Sequence, residues 1–123
     1  MIKPLKIAVM LGGPSAEREV SLRSGAGVSK ALRSIGYSVQ DVDPRDGTFA
    51  LPPETNVVFL ALHGTYGEDG TVQEQLEKLC VPYTGCDVES SRIAFNKVLT
   101  KQRCIESSVP TSRYLVIETA KAP

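Results

Sequence analysis

Two short apolar runs, each stopped by glycine, constrain the fold of this chain more than any other feature. The first is Leu5–Leu11, followed by a glycine pair, and the second is Val57–Leu62, followed by His63 and Gly64. Both runs are almost continuously apolar, which is typical of strands that are covered on both faces in a parallel sheet. The pattern therefore predicts an α/β fold, a three-layer, mostly parallel sheet with helices on both faces.

The segment after the first run predicts a helix. Ser15 is expected to be its N-cap, Glu17 and Glu19 would interact favourably with the positive end of the helix dipole, and the helix should end near Ser34. Its apolar residues predict which side of the helix is buried. This buried stripe should comprise Val20, Val28, Ala31, Leu32 and Ile35.

The remaining segments continue the alternation of strands and helices. A second strand, near an edge of the sheet, is predicted over 37–42, and residues 44–54 form a loop. Four more elements are expected: a helix over 72–79, a short strand over 81–83, a helical stretch over 93–105 and a last strand over 113–117. Because that last strand has no following partner before Pro123, we expect the chain to be a piece of a larger protein.

Length and charge narrow the class of protein. With 123 residues the chain has room for one domain with its own core, and Lys plus Arg balance Asp plus Glu at 14 each. Because the net charge is zero, the chain has no overall positive electrostatic field that would attract nucleic acid or an anionic membrane. The N-terminal apolar run is too short for a membrane span or a secretory signal, so a cytoplasmic protein is expected. The cysteines Cys80, Cys86 and Cys104 match no zinc spacing and are expected to be reduced thiols.

Two glycine-bearing loops follow the buried strands, at Gly12-Gly13 and over 64–70. In open parallel sheets such loops line the crevice where ligands bind. Neither loop is a Walker A sequence or a G-x-G-x-x-G fingerprint, which disfavours a dinucleotide-dependent oxidoreductase. Glycines also form tight turns in any α/β domain, so a purely structural role is the simpler alternative.

Several side chains near these loops and on the later helix are candidates for binding, each with a structural alternative. Glu17 could hold a cationic group such as the ammonium of an amino acid, or only interact with the helix dipole. His63, the single histidine, begins the loop after a buried strand. Asp69 is expected to cap the next helix. Lys97 and Lys101, one turn apart, share a face that is either solvated or phosphate-binding.

Three segments together resemble the N-terminal part of the D-alanine–D-alanine ligase family of ATP-grasp enzymes. They are Gly12–Leu22 (GGPSAEREVSL), His63–Gln73 (HGTYGEDGTVQ) and Val81–Cys86 (VPYTGC), in this order and spacing. The stretch Ser91–Lys101 is similar to the family's next helix, less closely, since Asn96 stands where an aspartate often precedes the first lysine. The resemblance extends from Lys6 to about Tyr114.

This resemblance implies a Rossmann-like pre-ATP-grasp domain over residues 1–90 and the start of the ATP-grasp central domain over 91–123. Members of the family join two D-alanines for peptidoglycan synthesis through an acylphosphate, with ATP and Mg²⁺. D-alanine and the remaining ATP-grasp domains would be the partners, and the complete protein would be a homodimer. Because the two ATP-grasp lobes do not fit within 123 residues, most of the ATP and Mg²⁺ site would lie elsewhere, and this chain alone would be inactive.

The resemblance also implies roles for five residues. Glu17 would hold the ammonium of the first D-alanine, and His63 would lie beside the same substrate and the developing acylphosphate. Val20 and Ser21 would shape the pocket for the alanine methyl, and Lys97 would reach the nucleotide phosphates as a point charge. No metal ligand is expected in this chain. Glu17 and His63 should then face a common hollow at one rim of the sheet.

Other functions remain open from the sequence. A ligase making D-alanyl-D-lactate or D-alanyl-D-serine would differ in the loop for the second substrate. A stand-alone module could use the same crevice to bind an amino acid without chemistry. A domain of another ATP-grasp enzyme, such as a carboxylase, agrees less well with the segments 17–21 and 63–70.

Overall fold

The computed structural model describes residues 4–118, in which strands and helices alternate along the first part of the chain. The elements, in chain order, are β1 (Lys6–Met10), α1 (Arg18–Ser34), β2 (Ser38–Val42), β3 (Val57–Leu60), α2 (Thr71–Lys78), α3 (Val88–Phe95) and α4 (Lys97–Glu106). The glycines and prolines between them form the loops, as the sequence indicates.

The sheet has three parallel strands in the order β2-β1-β3, which leaves β2 at an edge as predicted. The short strand predicted over 81–83 is reduced to a single parallel bridge between Val58 and Tyr83, on the free side of β3. Successive residues of β1 point to opposite faces, so the central strand contributes to a core on each side of the sheet.

Each face of the sheet is covered by helix. On one face Ala8 and Met10 pack with Val72 and Leu76 of α2. On the other face Ile7 and Val9 pack with apolar side chains of α1, which are Leu22, Val28 and Leu32. The prediction of a three-layer α/β fold with a parallel sheet is therefore confirmed.

The start of α1 differs from the prediction. The helix begins at Arg18 with Glu17 as its N-cap residue, so the assignment of Ser15 as N-cap was wrong. The reason is a tertiary contact, because the Ser15 hydroxyl donates to the backbone carbonyl of His63 in the loop after β3. Ser15 therefore ties two loops together and lies before the helix.

The buried face of α1 also differs in part from the prediction. Val20, Ala31 and Ile35 were expected in the core but are exposed, Val20 by 47% and Ile35 by 71%. The buried positions of the helix are instead Ser21, Gly25 and Ser29, spaced four residues apart. These small residues let the helix backbone lie close to the sheet, and a side chain at Gly25 would collide with that of Leu11.

The helical stretch after Gly85 is divided in two. Asn96 ends α3 in an extended conformation, and its side chain accepts hydrogen bonds from the N–H groups of Val98 and Leu99, which caps α4. The last strand predicted over 113–117 was wrong, since residues 111–118 have no regular secondary structure. These residues are exposed along their whole length, and among the described residues they form no bridge with the sheet.

Two further features bear on the class of protein. The three cysteines are free thiols. Within residues 4–118 no helix is both long enough and apolar enough to cross a membrane.

Candidate ligand site

The loop after β1 is held by an ion pair. Gly12 and Gly13 have positive φ angles of 81° and 74°, conformations that favour glycine. Asp43, which follows β2, accepts from the backbone N–H of Gly13 at 3.0 Å and from two nitrogens of Arg18 at 2.8 and 2.6 Å. Arg18 Nη1 also donates to the carbonyl of Gly13 at 3.1 Å. The pair thus contacts both the glycine loop and the first residue of α1.

The charges of this pair stabilise each other. The Arg18 guanidinium, with help from the Gly13 N–H, holds the pKa of the Asp43 carboxyl below its ordinary value, while partial burial acts in the opposite direction. The same hydrogen bond raises the pKa of Arg18. Both groups are therefore ionised at neutral pH, and the loop is fastened by a charge-assisted, bidentate contact.

In the loop after β3, the carboxylates of Glu68 and Asp69 hold the backbone in place through hydrogen bonds. Glu68 accepts from the N–H of Gly64 at 2.7 Å. Asp69 accepts from the N–H groups of Tyr66 and Thr71 at 2.8 and 2.9 Å, although Gly70 is the N-cap residue of α2. Burial acts to raise the pKa of Asp69, but these hydrogen bonds outweigh it and hold the pKa below the ordinary value. The assignment of Asp69 as the cap of this helix was therefore wrong, but its role is structural as expected, since its carboxylate holds the backbone just before α2.

Ser15 joins the two loops. Its hydroxyl donates to the carbonyl of His63 at 2.7 Å and accepts from the N–H of Glu17 at 3.1 Å. The Glu17 carboxylate lies over Gly64, where a Cβ would be 2.5 Å from Oε2. His63 Nε2 lies 2.9 Å from the hydroxyl of Ser24, further along α1. Glu17 and His63 are thus brought to the same rim of the sheet, at the carboxyl ends of β1 and β3.

The two residues expected to shape a methyl pocket have different environments. Val20 lies on the exposed side of α1. Ser21 is completely buried, and its hydroxyl donates to the carbonyl of Ala61 at 2.6 Å and accepts from the N–H of Gly12 at 2.9 Å. Ser21 therefore links α1 to the chain just after β1 and β3, beneath the rim that carries Glu17.

Lys97 is the first residue of α4, and no hydrogen bond among the described residues joins it to Glu17 or His63. Among the helices and strands of the described chain, α4 contacts only α3, and Lys97 is exposed. Lys101, one turn later, donates to Thr111 and Ser112 and lies 5.3 Å from the ring centroid of Tyr114. Of the two lysines predicted to share a face, Lys101 thus fastens the segment that follows α4.

Magnesium is the metal that the family resemblance implies. Mg²⁺ prefers carboxylate oxygens in octahedral geometry. Within residues 4–118 no group of three or more His, Cys, Asp or Glu side chains is placed to hold a metal ion. This part of the chain therefore does not fit a Mg²⁺ site by itself. The exposed ammonium of Lys97 does suit a phosphate group as a single point charge.

Sequence reasoning missed Asp43 and Ser24. Asp43 immediately follows a strand of the parallel sheet, the same kind of position that drew attention to His63. The rule that loops at the carboxyl ends of strands line the ligand crevice could have found it. Ser24 gave no signal, because its contact with His63 spans 39 residues of chain.

These features define an α/β domain with a parallel sheet and two glycine-rich loops that meet at its carboxyl rim. Residues 40–86 match a family model described as the D-ala D-ala ligase N-terminus. The D-alanine–D-alanine ligase of Herminiimonas arsenicoxydans is 49% identical over 115 residues, covering 92% of this chain and 34% of the relative. That of Haemophilus ducreyi is 44% identical over 123 residues, covering 98% of this chain and 41% of the relative.

Solved structures agree with these matches. The crystal structure of D-alanine-D-alanine ligase from Aeromonas hydrophila has a TM-score of 0.84 at 30% identity, covering 91% of this chain and 50% of that one. D-alanyl-alanine synthetase A from Vibrio cholerae has a TM-score of 0.85 at 26% identity, covering 94% and 41%. The chain belongs to the D-alanine–D-alanine ligase family, where it corresponds to the N-terminal part. It spans 34% and 41% of the two curated relatives named above.

Proposed function

We propose that this chain is the N-terminal, substrate-binding part of an ATP-dependent ligase that joins two D-alanines into D-alanyl-D-alanine for peptidoglycan synthesis in the bacterial cytoplasm. The observation that carries the proposal is the junction made by Ser15, which brings Glu17 and His63 to one rim of the sheet. Residues 1–90 would form the N-terminal domain, and residues 91–123 the opening of the central ATP-grasp domain. The complete protein would be a homodimer.

In this proposal Glu17 binds the ammonium of the first D-alanine. Its carboxylate is exposed at the N-terminal end of α1, where the helix dipole favours a negative charge. A charge-assisted hydrogen bond to the ammonium would fix the orientation of the substrate while its carboxylate reacts. Gly64 supports this role, since it leaves the space that the Glu17 carboxylate occupies.

His63 would lie beside the same substrate and donate a hydrogen bond where negative charge develops on its carboxylate. The hydroxyl of Ser24 contacts Nε2 and holds the orientation of the ring, as a supporting group commonly does at catalytic histidines. Val20 and Ser21 would bound the space for the alanine methyl, Val20 from the exposed side of α1 and Ser21 by fixing the helix on the strands.

ATP, when bound, supplies the phosphoryl group that activates the first D-alanine. Lys97 would contribute a positive charge toward the phosphates from the start of α4. Most of the nucleotide site and the Mg²⁺ ligands would come from the remaining ATP-grasp domains. The relatives are named for two D-alanines, which favours that product over D-alanyl-D-lactate, D-alanyl-D-serine or a binding module without chemistry.

A chimera tests the proposal. The first third of the Herminiimonas arsenicoxydans ligase would be replaced by this chain, which covers 34% of that relative. We expect the chimera to release phosphate from ATP only when D-alanine is present, and mass spectrometry to detect D-alanyl-D-alanine. The 123-residue chain alone should release none. A folded chimera without D-alanine-dependent product, or turnover by the chain alone, would contradict the proposal.

A further inference from the structure

We propose that Asp43 is a positioning residue for Glu17, which it controls through Arg18 and Gly13 without touching the substrate. The inference rests on the proposed function, because it concerns how the carboxylate that binds the first D-alanine is held in place. Among the described residues, no side-chain hydrogen bond joins Asp43 or Arg18 to His63 or Gly64. Asp43 should therefore affect D-alanine binding only by changing the position of the start of α1, where Glu17 lies.

The sheet places Asp43 beside the glycine loop. In the parallel pairing of β1 with β2, Met10 lies opposite Val42, and the N–H of Leu11 donates to the carbonyl of Val42 at 3.0 Å. The next residue of each strand therefore emerges at the same edge, with Asp43 next to the turn at Gly12. The position of this carboxylate follows from strand register and does not depend on a flexible loop.

Asp43 contacts both the glycine loop after β1 and the first residue of α1. Oδ1 accepts from both the Gly13 N–H and Arg18 Nη1, and Oδ2 accepts from Arg18 Nη2. Arg18 completes the network by donating to the carbonyl of Gly13. A Cβ at Gly12 would lie 2.6 Å from Asp43 Oδ1 and 2.8 Å from Arg18 Nη1, so the pair packs directly onto the glycine backbone.

Glu17 is held between these groups. It directly precedes Arg18, and its carbonyl accepts the helical hydrogen bond from the N–H of Ser21 at 3.0 Å. With Arg18 fastened to Asp43 and Ser21 buried, the backbone of Glu17 is fixed on its helical side. Asp43 also neutralises the guanidinium next to Glu17. Without that partner, Arg18 would compete with the substrate ammonium for the Glu17 carboxylate.

The test compares two isosteric substitutions in the same strand region. Asp43→Asn keeps the shape of the side chain and removes its charge. Asp41→Asn is the matched control, because Asp41 in β2 also accepts from an arginine, Arg33 at 3.2 Å, and from the Ser29 hydroxyl. Asp41 pairs with the C-terminal half of α1, so both variants lose a negative charge opposite an arginine but only Asp43 lies near Glu17.

In the chimera, we expect Asp43→Asn to raise KM for the first D-alanine about tenfold with a much smaller change in kcat, since it displaces a binding group that does not take part in the chemistry. Asp41→Asn should leave KM unchanged. Arg18→Lys, which keeps the charge but not the bidentate geometry, should raise KM in the same direction. Equal KM values for the Asp43→Asn and Asp41→Asn variants would overturn the inference.

Backbone amide NMR of the 123-residue chain provides a readout without catalysis. Asp43→Asn should move the resonances of Gly13 and Glu17, and Asp41→Asn should move neither. Unchanged Gly13 and Glu17 signals in folded Asp43→Asn chain would overturn the inference. If the unsubstituted chimera makes no product, the proposed function fails, and the NMR comparison still decides whether Asp43 fixes the start of α1.

Discussion

The carboxylate of Glu17 lies directly over Gly64, so that a Cβ at this glycine would be 2.5 Å from Glu17 Oε2. Gly64 also has a positive φ of 71°. Position 64 therefore favours glycine for two reasons. Its backbone has a left-handed conformation, and the Glu17 side chain occupies the space of a Cβ. The two requirements can be separated experimentally, because another glycine of the chain has only the first.

Gly64→Ala should lower stability and weaken D-alanine binding. Alanine in the left-handed region costs about 1–2 kcal/mol, and the new methyl would push the Glu17 carboxylate aside. Gly85→Ala is the control, since Gly85 has a φ of 99° and nothing within 4 Å of a Cβ. Urea denaturation should show a similar loss for both chains. In the chimera only Gly64→Ala should raise KM for D-alanine, and an equal KM in both variants would exclude a steric role.

Glu17→Gln tests the proposed contact with the substrate ammonium. The loss of a charged hydrogen bond is worth about 1.5–3 kcal/mol, so KM for the first D-alanine should rise by about one to two orders of magnitude. Glu19→Gln is the control, because Glu19 is an acid of the same first turn with no hydrogen bond to either loop among those of the described residues. If thermal stability changes in both variants and KM in neither, Glu17 acts only on the helix dipole.

Leu76→Ala tests the core that α2 shares with the sheet. Leu76 is completely buried, and its truncation should lower the free energy of unfolding by about 2–5 kcal/mol. Leu79, at the C-terminal end of the same helix, is 54% exposed. Leu79→Ala should therefore change the free energy of unfolding by less than about 0.5 kcal/mol. Urea denaturation of the two variants gives the comparison. Similar losses would contradict the assignment of the buried side of α2.

The ion pair between Asp43 and Arg18 should make the folded chain less stable as the pH falls into the acid range. The folded-state pKa of Asp43 lies below its ordinary value, mainly because of the hydrogen bond from Arg18, with Arg45 acting in the same direction. The stabilisation is therefore present above the unfolded pKa, about 3.9, and is lost as pH falls through the folded value. Melting temperatures of the unsubstituted and Asp43→Asn chains should differ at pH 7, begin to converge below about pH 4 and become equal only below the folded-state pKa of Asp43. A constant difference would contradict this.

The motifs at the two loops were recognisable because their chemistry is local. An apolar run stopped by glycine predicts a buried parallel strand, and the positions of β1 and β3 agree with that prediction. His63 drew attention for the same reason, since it is the residue that follows one of these runs. The segment 113–117 is also rich in apolar residues but pairs with no strand among the described residues, so an apolar pattern alone was insufficient.

The amino-acid sequence by itself determined the order of strands and helices from β1 to α2, the two glycine-rich loops and the family. Tertiary structure decided which side of α1 is buried, because the small residues Ser21, Gly25 and Ser29 approach the sheet more closely than the larger apolar ones can. It also decided the contacts that build the site. Ser15 meets His63 across 48 residues and Arg18 meets Asp43 across 25, and such pairings depend on strand order and register, which no local pattern specifies.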